Sequence, residues 1–215
     1  MPTPLVLEPI DTYIRAGFLA QVQKTFECNA VYVTANDKTR TLAQITQGIP
    51  QYPYIFIVNQ SMQQNGDGYP GALLPIDGIP VQVADTHNRA ITAKILPVKF
   101  EMELTYVSNK EDGTGLDSVF GFSRRWLLRR RLGQFSFNIR YGVFSLPIHC
   151  ILSDTVTIPQ RENATDAESN YQVVVTAAIN GYISEPEAGS QGVIDDLQIV
   201  QNAEYLMPGQ FFPFS

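Results

Sequence analysis

One segment of this 215-residue chain alternates so regularly that it predicts a β-strand. From Val98 to Tyr106, every second side chain is apolar, and the side chains between them are charged or polar. Successive side chains of a strand point to opposite faces, so one face should pack on a core and the other should meet water or a polar partner. The strand pattern begins at Ala90, and the chain must therefore build a sheet.

Two other segments have helical periodicity. The first follows Pro9 and Asp11, where a helix start is favoured. Its apolar stripe consists of Ile14, Phe18, Leu19, Val22 and Phe26. The second covers residues 116–132 and closes at Gly133. Its expected buried arc consists of Leu116, Val119, Phe120, Trp126 and Leu127, with Leu128 and Leu132 on the other side among arginines.

Short apolar or alternating runs predict the remaining strands, at residues 54–58, 135–141, 144–152 and 171–183. Short turns join the last strands, which favours antiparallel pairing. The predicted fold is α+β: a mainly antiparallel sheet with two helices packed on one face, forming a single domain over residues 1–184.

Two regions fall outside that plan. Residues 60–90 are rich in Gly, Pro, Asp and Asn, and they predict a long insertion that is either a β-hairpin extension or a surface loop. Residues 185–215 lack periodicity and predict an extended C-terminal arm. Phe211, Phe212 and Phe214 lie in this arm, and we expect them to anchor it on a partner; the alternative is a disordered terminus with three exposed rings.

Composition excludes several classes of protein. The net charge of −6 and pI near 4.9 oppose a dedicated binder of nucleic acid or anionic membranes. No apolar run approaches the roughly 20 residues of a membrane helix, and the first residues lack an export signal, so no membrane partner is expected. Only Cys28 and Cys150 are present, which favours a reducing compartment and free thiols.

No catalytic motif is found. Nucleotide-binding glycine patterns, a nucleophile elbow and a zinc-protease helix are all missing from the sequence. His149 and Cys150 are adjacent on a predicted strand and would point to opposite faces, so they do not form a nucleophile and base. Asp195 and Asp196 are best explained as solvated acids. We expect no enzyme activity, no catalytic or metal-binding residues and no cofactor.

The most unusual local feature is a basic island. Residues 121–141 contain six arginines and no acid, whereas residues 142–215 contain nine acids and one base. The expected subunit-interface residues on the second helix are Arg124, Arg125, Trp126, Arg129, Arg130 and Arg131. The arginines could pair with carboxylates of a neighbouring subunit, grip phosphates while Trp126 stacks on bases, or cover the core as a solvated face.

The order of elements over residues 9–184 resembles that of tail terminator and tail-completion proteins of tailed bacteriophages. Residues 98–184 are also similar in texture to phage tail structural proteins, from Val98-Lys-Phe-Glu-Met-Glu-Leu through Phe122-Ser-Arg-Arg-Trp and Phe135-Ser-Phe-Asn-Ile-Arg to Asn180-Gly-Tyr-Ile-Ser184. The resemblance is one of pattern, and it supplies no functional motif.

The resemblance implies a virion structural protein that forms a ring, typically of six subunits, at the end of the tail tube and joins the tail to the neck. Its partners would be copies of itself and other tail, sheath or neck proteins, with assembly in the host cytoplasm and DNA passing through the lumen without specific binding. The alternatives are another tail, baseplate or neck protein, or a module that binds nucleic acid or a small ligand through residues 116–132.

Overall fold

The computed structural model describes residues 6–34, 53–64, 80–85, 87–108, 115–133, 135–158 and 171–187. Within these ranges the chain forms two α-helices and seven β-strands, so the protein is α+β, as predicted. In chain order the elements are α1 (Ile10–Phe26), β1 (Asn29–Tyr32), β2 (Tyr54–Gln64), β3 (Pro80–Ala84), β4 (Ala90–Ser108), α2 (Gly115–Leu132), β5 (Ser136–Tyr141), β6 (Phe144–Leu152) and β7 (Tyr171–Pro186).

The strands form one curled sheet in the order β1-β2-β4-β7-β6-β5, with β3 beside β4. The pairing of β1 with β2 is parallel, and the other described pairs are antiparallel. The longest ladder joins β4 to β7 over sixteen residue pairs, from Ala93 opposite Pro186 to Ser108 opposite Tyr171. These two strands are the centre of the sheet, and the other strands are arranged around them.

The alternation that predicted β4 is confirmed on its core face, where its apolar side chains from Val98 to Tyr106 are all buried. The opposite face of β4 is only partly exposed to solvent. Thr105 and Val107 are 1% exposed there, and Val107 packs in a second small cluster with Phe56 and Val58. The expectation of a polar or solvated second face is therefore wrong at the C-terminal end of β4.

Helix α1 begins after Pro9, as predicted, and ends at Glu27, which adopts a left-handed conformation with φ 53°. Its predicted apolar stripe is buried, and it packs against β1, β5 and β7. Two glycines allow this close approach. A Cβ atom on Gly17 would lie 2.6 Å from the Phe137 ring, and one on Gly181 would lie 2.9 Å from Ile14. The β4–β7 register is continuous through Gly181, so β7 has no bulge at this glycine.

The two helices meet through aromatic rings and share one core cluster. Phe26 of α1 lies 4.9 Å from Phe122 and 5.7 Å from Trp126, measured between ring centroids. Phe122 also stacks on Tyr106 of β4 at 4.4 Å. These contacts fix the orientation of α2 about its own axis and decide which of its side chains face outward.

The region predicted as an insertion contains strands at both ends. Residues 60–64 continue β2, and β3 pairs with the start of β4 as a hairpin whose turn includes Asp85 and Arg89. Residues 65–79 lie outside the described residues. At the C-terminal end, residues 185 and 186, which were predicted to belong to the arm 185–215, are part of β7, and residues 188–215 lie outside the described residues.

Candidate functional site

The outward face of α2 carries both arginine and large apolar side chains. Phe120, Leu127, Leu128 and Leu132 are between 42% and 55% exposed. Positions 120, 124, 128 and 132 are four residues apart, which places them along one stripe of the helix. Sequence periodicity alone placed Phe120 and Leu127 in the core, and that prediction is wrong because Phe122 and Ser123 occupy the buried arc beside Val119 and Trp126.

Four guanidinium groups of α2 have no acidic partner among the described residues: Arg124 and Arg131 on the outward stripe, and Arg129 and Arg130 on the side of the helix toward β6. Arg125 lies 3.7 Å from the Glu27 carboxylate, but no described carboxylate lies within salt-bridge distance of Arg124, Arg129, Arg130 or Arg131. Three of them lie in the last turn of α2, where positive charge interacts favourably with the helix dipole. The helix therefore presents an accumulated positive charge together with apolar area.

Trp126 does not belong to this surface. Its side chain is 0% exposed, and its Nε1 donates a hydrogen bond to the carbonyl oxygen of Ser153 at 3.0 Å. A side chain buried within its own subunit cannot contact a partner or stack on a base without unfolding α2. The sequence-based placement of Trp126 in the interface is corrected on this ground, and the five arginines remain candidates.

A groove runs between the C-terminal half of α2 and the strands β6 and β7. It consists of two adjacent cavities of about 350 Å³ and about 220 Å³, and Arg130, Ile151 and Leu152 line both of them. We call it the Arg130 groove. The larger cavity also contacts Asp154 and Ala178, and the smaller one also contacts Arg129, Phe135 and His149.

The Arg130 groove was not predicted from the sequence. Ile151 and Ala178 are 27 residues apart along the chain, and they become neighbours because they are paired across β6 and β7. Ile151 is 52% exposed, whereas the flanking Leu152 is buried. The exposure of Ile151 would have indicated the groove. The exposure of one residue cannot be inferred from a mostly apolar run such as Ile148–Leu152.

The two cysteines do not have the environment of reactive thiols. Burial raises the pKa of Cys28 to about 12, against an opposing effect of the nearby Arg125 charge, and burial also raises the pKa of Cys150 far above its ordinary value. Both thiols are free. A thiolate is the reactive form of cysteine, so neither residue is suited to nucleophilic chemistry at neutral pH.

Other classes of site find no support in the described ranges. His, Cys, Asp and Glu side chains there do not gather in a group of three or more that could hold a metal ion. Neither described helix is both long enough and apolar enough to cross a bilayer. Asp195, Asp196 and the predicted docking residues Phe211, Phe212 and Phe214 lie outside the described residues.

The sequence matches no protein-family model and is not significantly similar to any curated protein searched.

Proposed function

We propose that this protein is a structural subunit of a tailed-phage virion that self-associates through the outward face of α2 into a closed ring at the end of the tail tube. The observation that carries the proposal is the combination on one helix of four exposed large apolar side chains and four guanidinium groups without a described acidic partner. Arginine and large apolar side chains together are typical of interface hot spots.

The fold agrees with this proposal at the level of element order. An N-terminal helix, strands on both sides of residues 65–79, a second helix and closing strands correspond to the order that resembles tail terminator and tail-completion proteins. Both helices also contribute to one core cluster, which supports the expected packing on one face of the sheet. The ring would be hexameric, join tail to neck, contact other tail, sheath or neck proteins and let DNA pass without binding it specifically. The proposed role is structural, not enzymatic.

The competing hypothesis of nucleic-acid binding through α2 loses the stacking ring that the sequence assigned to it, and Phe120 is the aromatic side chain still exposed on that helix. Binding of single strands combines cationic side chains with aromatic rings on which bases stack. Trp126, the aromatic residue between the arginines, is buried against Phe26 and Phe122. A contact with the phosphate backbone would remain, and salt-dependent DNA binding by the purified protein would detect it.

Native mass spectrometry and negative-stain microscopy at two salt concentrations test the proposal. We expect closed rings at low salt and dissociation at high salt, because exposed charge pairs are screened. Reversing Arg124, Arg129 and Arg130 to Glu should give a folded monomer. Arg130→Glu alone should weaken assembly, whereas Arg140→Glu, an exposed arginine on β5, should not. Normal rings from the triple variant would refute α2 as the interface.

A further inference from the structure

We propose that the Arg130 groove binds the acidic, aromatic segment 188–215 of a second copy of this chain. The inference rests on the proposed function in so far as it assumes that copies associate, and it identifies which part of one copy contacts which part of the next. It departs from the sequence-based expectation that the arm serves a different protein.

The dimensions of the groove suit aromatic side chains. A cavity of about 150 Å³ lined by apolar side chains is enough to hold a benzene molecule. The two cavities, of about 350 Å³ and about 220 Å³, therefore each have room for a phenyl ring. Ile151, which is 52% exposed, supplies the accessible apolar surface shared by both cavities, while Leu152 and Phe135 line them from the core and are each 2% exposed.

The chemistry of the segment is complementary to that of the groove. Residues 188–215 contain three acids and no lysine or arginine. The complementarity is confined to the smaller cavity, which Arg129 and Arg130 line without any acid, whereas Glu101 and Asp154 line the larger one. Neither of the two guanidinium groups has a described carboxylate within salt-bridge distance. Phe211, Phe212 and Phe214 supply the rings. Pro213 disfavours a helical conformation at Phe212, which suits binding in an extended form.

The position at which the segment leaves the sheet favours a second copy over the same copy. Thr176 and Ala178 of β7 line the groove, and β7 then runs away from it to Glu187, whose backbone N–H donates to Thr92. Eleven residue steps lead from Thr176 to Glu187, about 35 Å measured along the strand. The segment thus starts far from its own groove with the chain directed away from it, and a neighbour placed in that direction would present its groove to the segment.

Twenty-eight residues span at most about 95 Å when extended, so the segment can reach a neighbour's groove and bind along it. The same length would also allow the segment to turn back to its own groove, and in that case the wild type would stay monomeric. In the proposed contact, each copy gives its segment to one neighbour and receives a segment from the other. This arrangement is a heterologous interface. Such interfaces close into rings when the rotation between subunits permits. The proposed contact therefore generates the symmetry that the proposed function requires.

Two full-length variants test the proposal in a mixing experiment. The first carries Arg130→Glu and Ile151→Asp in the groove and keeps its segment intact. The second carries Phe211→Ser, Phe212→Ser and Phe214→Ser and keeps its groove intact. Each variant alone should be monomeric by native mass spectrometry. An equimolar mixture should give a one-to-one heterodimer, because one functional segment and one functional groove remain.

Three outcomes would overturn the proposal. Variants that assemble as well as the wild type would exclude the groove and segment from the contact but leave ring formation standing. Monomeric variants whose mixture stays monomeric would exclude exchange between copies. A wild type that stays monomeric at every concentration would refute both proposals. Open chains that require groove and segment but never close would support the docking and refute the ring.

Folding of the variants is checked independently. Both arginine and isoleucine are exposed at the altered positions, so the thermal midpoint of the groove variant should stay close to that of the wild type. If it falls, Arg130→Glu alone replaces it. We expect association to weaken by about 30-fold for this single change, the loss associated with one hot-spot residue. An unchanged association constant for a folded Arg130→Glu variant would contradict the proposal.

Discussion

Trp126 and Ser153 are joined by a hydrogen bond of 3.0 Å from the indole Nε1 to the backbone carbonyl oxygen. Ser153 is also bonded to Thr176 of β7 in both directions, since its N–H donates to the Thr176 carbonyl and its hydroxyl accepts from the Thr176 N–H. One serine thus links α2 to β7 at the edge of the Arg130 groove, and Trp126 supplies the helical half of that link.

Replacing Trp126 should remove both the hydrogen bond and buried packing. Trp126→Phe should lower the free energy of unfolding by about 1–3 kcal/mol, because it removes the hydrogen bond and part of the buried ring. Trp126→Ala should lower it by about 3–5 kcal/mol because it also leaves a cavity. Urea unfolding measures both, with Arg131→Ala as the exposed control on the same helix, expected within about 0.5 kcal/mol of the wild type. A neutral Trp126→Ala would contradict the buried position of the indole.

The two helical glycines should respond oppositely to alanine. A Cβ at Gly17 would lie 2.6 Å from the Phe137 ring, so Gly17→Ala should cost about 1–3 kcal/mol despite the gain in helix propensity. At Gly121 no atom lies within 4 Å of such a Cβ, and Gly121→Ala should stabilise the protein by about 0.5–1 kcal/mol. Thermal unfolding distinguishes the two. Phe137→Leu should recover part of the loss at Gly17, and equal effects at both glycines would refute the close contact.

Thr105 should be more stable as valine. Its side chain is 1% exposed, and its Oγ1 is buried without a hydrogen-bond partner among the described residues. Thr105→Val keeps the shape and removes the unsatisfied hydroxyl, which should raise the free energy of unfolding by about 1 kcal/mol. Urea unfolding measures the stability of Thr105→Val. The control is Thr176→Val, which makes the same change at an exposed position of β7. A loss of stability specific to Thr105→Val would show that its hydroxyl has a partner.

The β3–β4 turn should weaken in acid. The backbone N–H of Arg89 donates to the Asp85 carboxylate, as do its guanidinium and the backbone N–H of His87, and these bonds lower the pKa of Asp85 from 3.8 to about 2. A lowered folded-state pKa stabilises the fold above the unfolded value, and that contribution disappears as the pH falls from about 4 to about 2. Carbon NMR titration of the Asp85 carboxyl should give a midpoint near 2.

Arg89→Gln provides the control for that titration. It removes the charged donor but keeps the backbone N–H, so the pKa of Asp85 should rise part of the way toward its ordinary value. A midpoint already near 3.8 in the wild type would show that the turn does not form in solution.

The sequence was sufficient where one strong pattern had one structural solution. The alternation in β4 and the apolar stripe of α1 each allowed a single buried face, and both faces are buried. The sequence did not predict β1, which has only four residues, or the polar half of β2 from Asn59 to Gln64. Backbone hydrogen bonds with β4 keep this half of β2 in the sheet, and such pairing cannot be inferred from the pattern of side chains in the sequence.

The candidate site was likewise predicted from the sequence only in part. The run of arginines on α2 was visible in the sequence because it is local. The rotation of α2 about its own axis was not visible in the sequence, because apolar residues occupy both sides of the helix. Only the ring contacts with Phe26 and Tyr106 place Phe122, and not Phe120, in the core. The Arg130 groove was also hidden, because it exists only after β6 and β7 have paired.

The ladder between β4 and β7 has a mechanical consequence. Its hydrogen bonds lie across the strand direction, so a force along the strands loads sixteen residue pairs in shear at the same time. A force across the sheet would instead open the bonds one after another. Tension applied between the β3–β4 turn, at the N-terminal end of β4, and Tyr171, at the N-terminal end of β7, would therefore load the whole ladder at once and meet a stiff element.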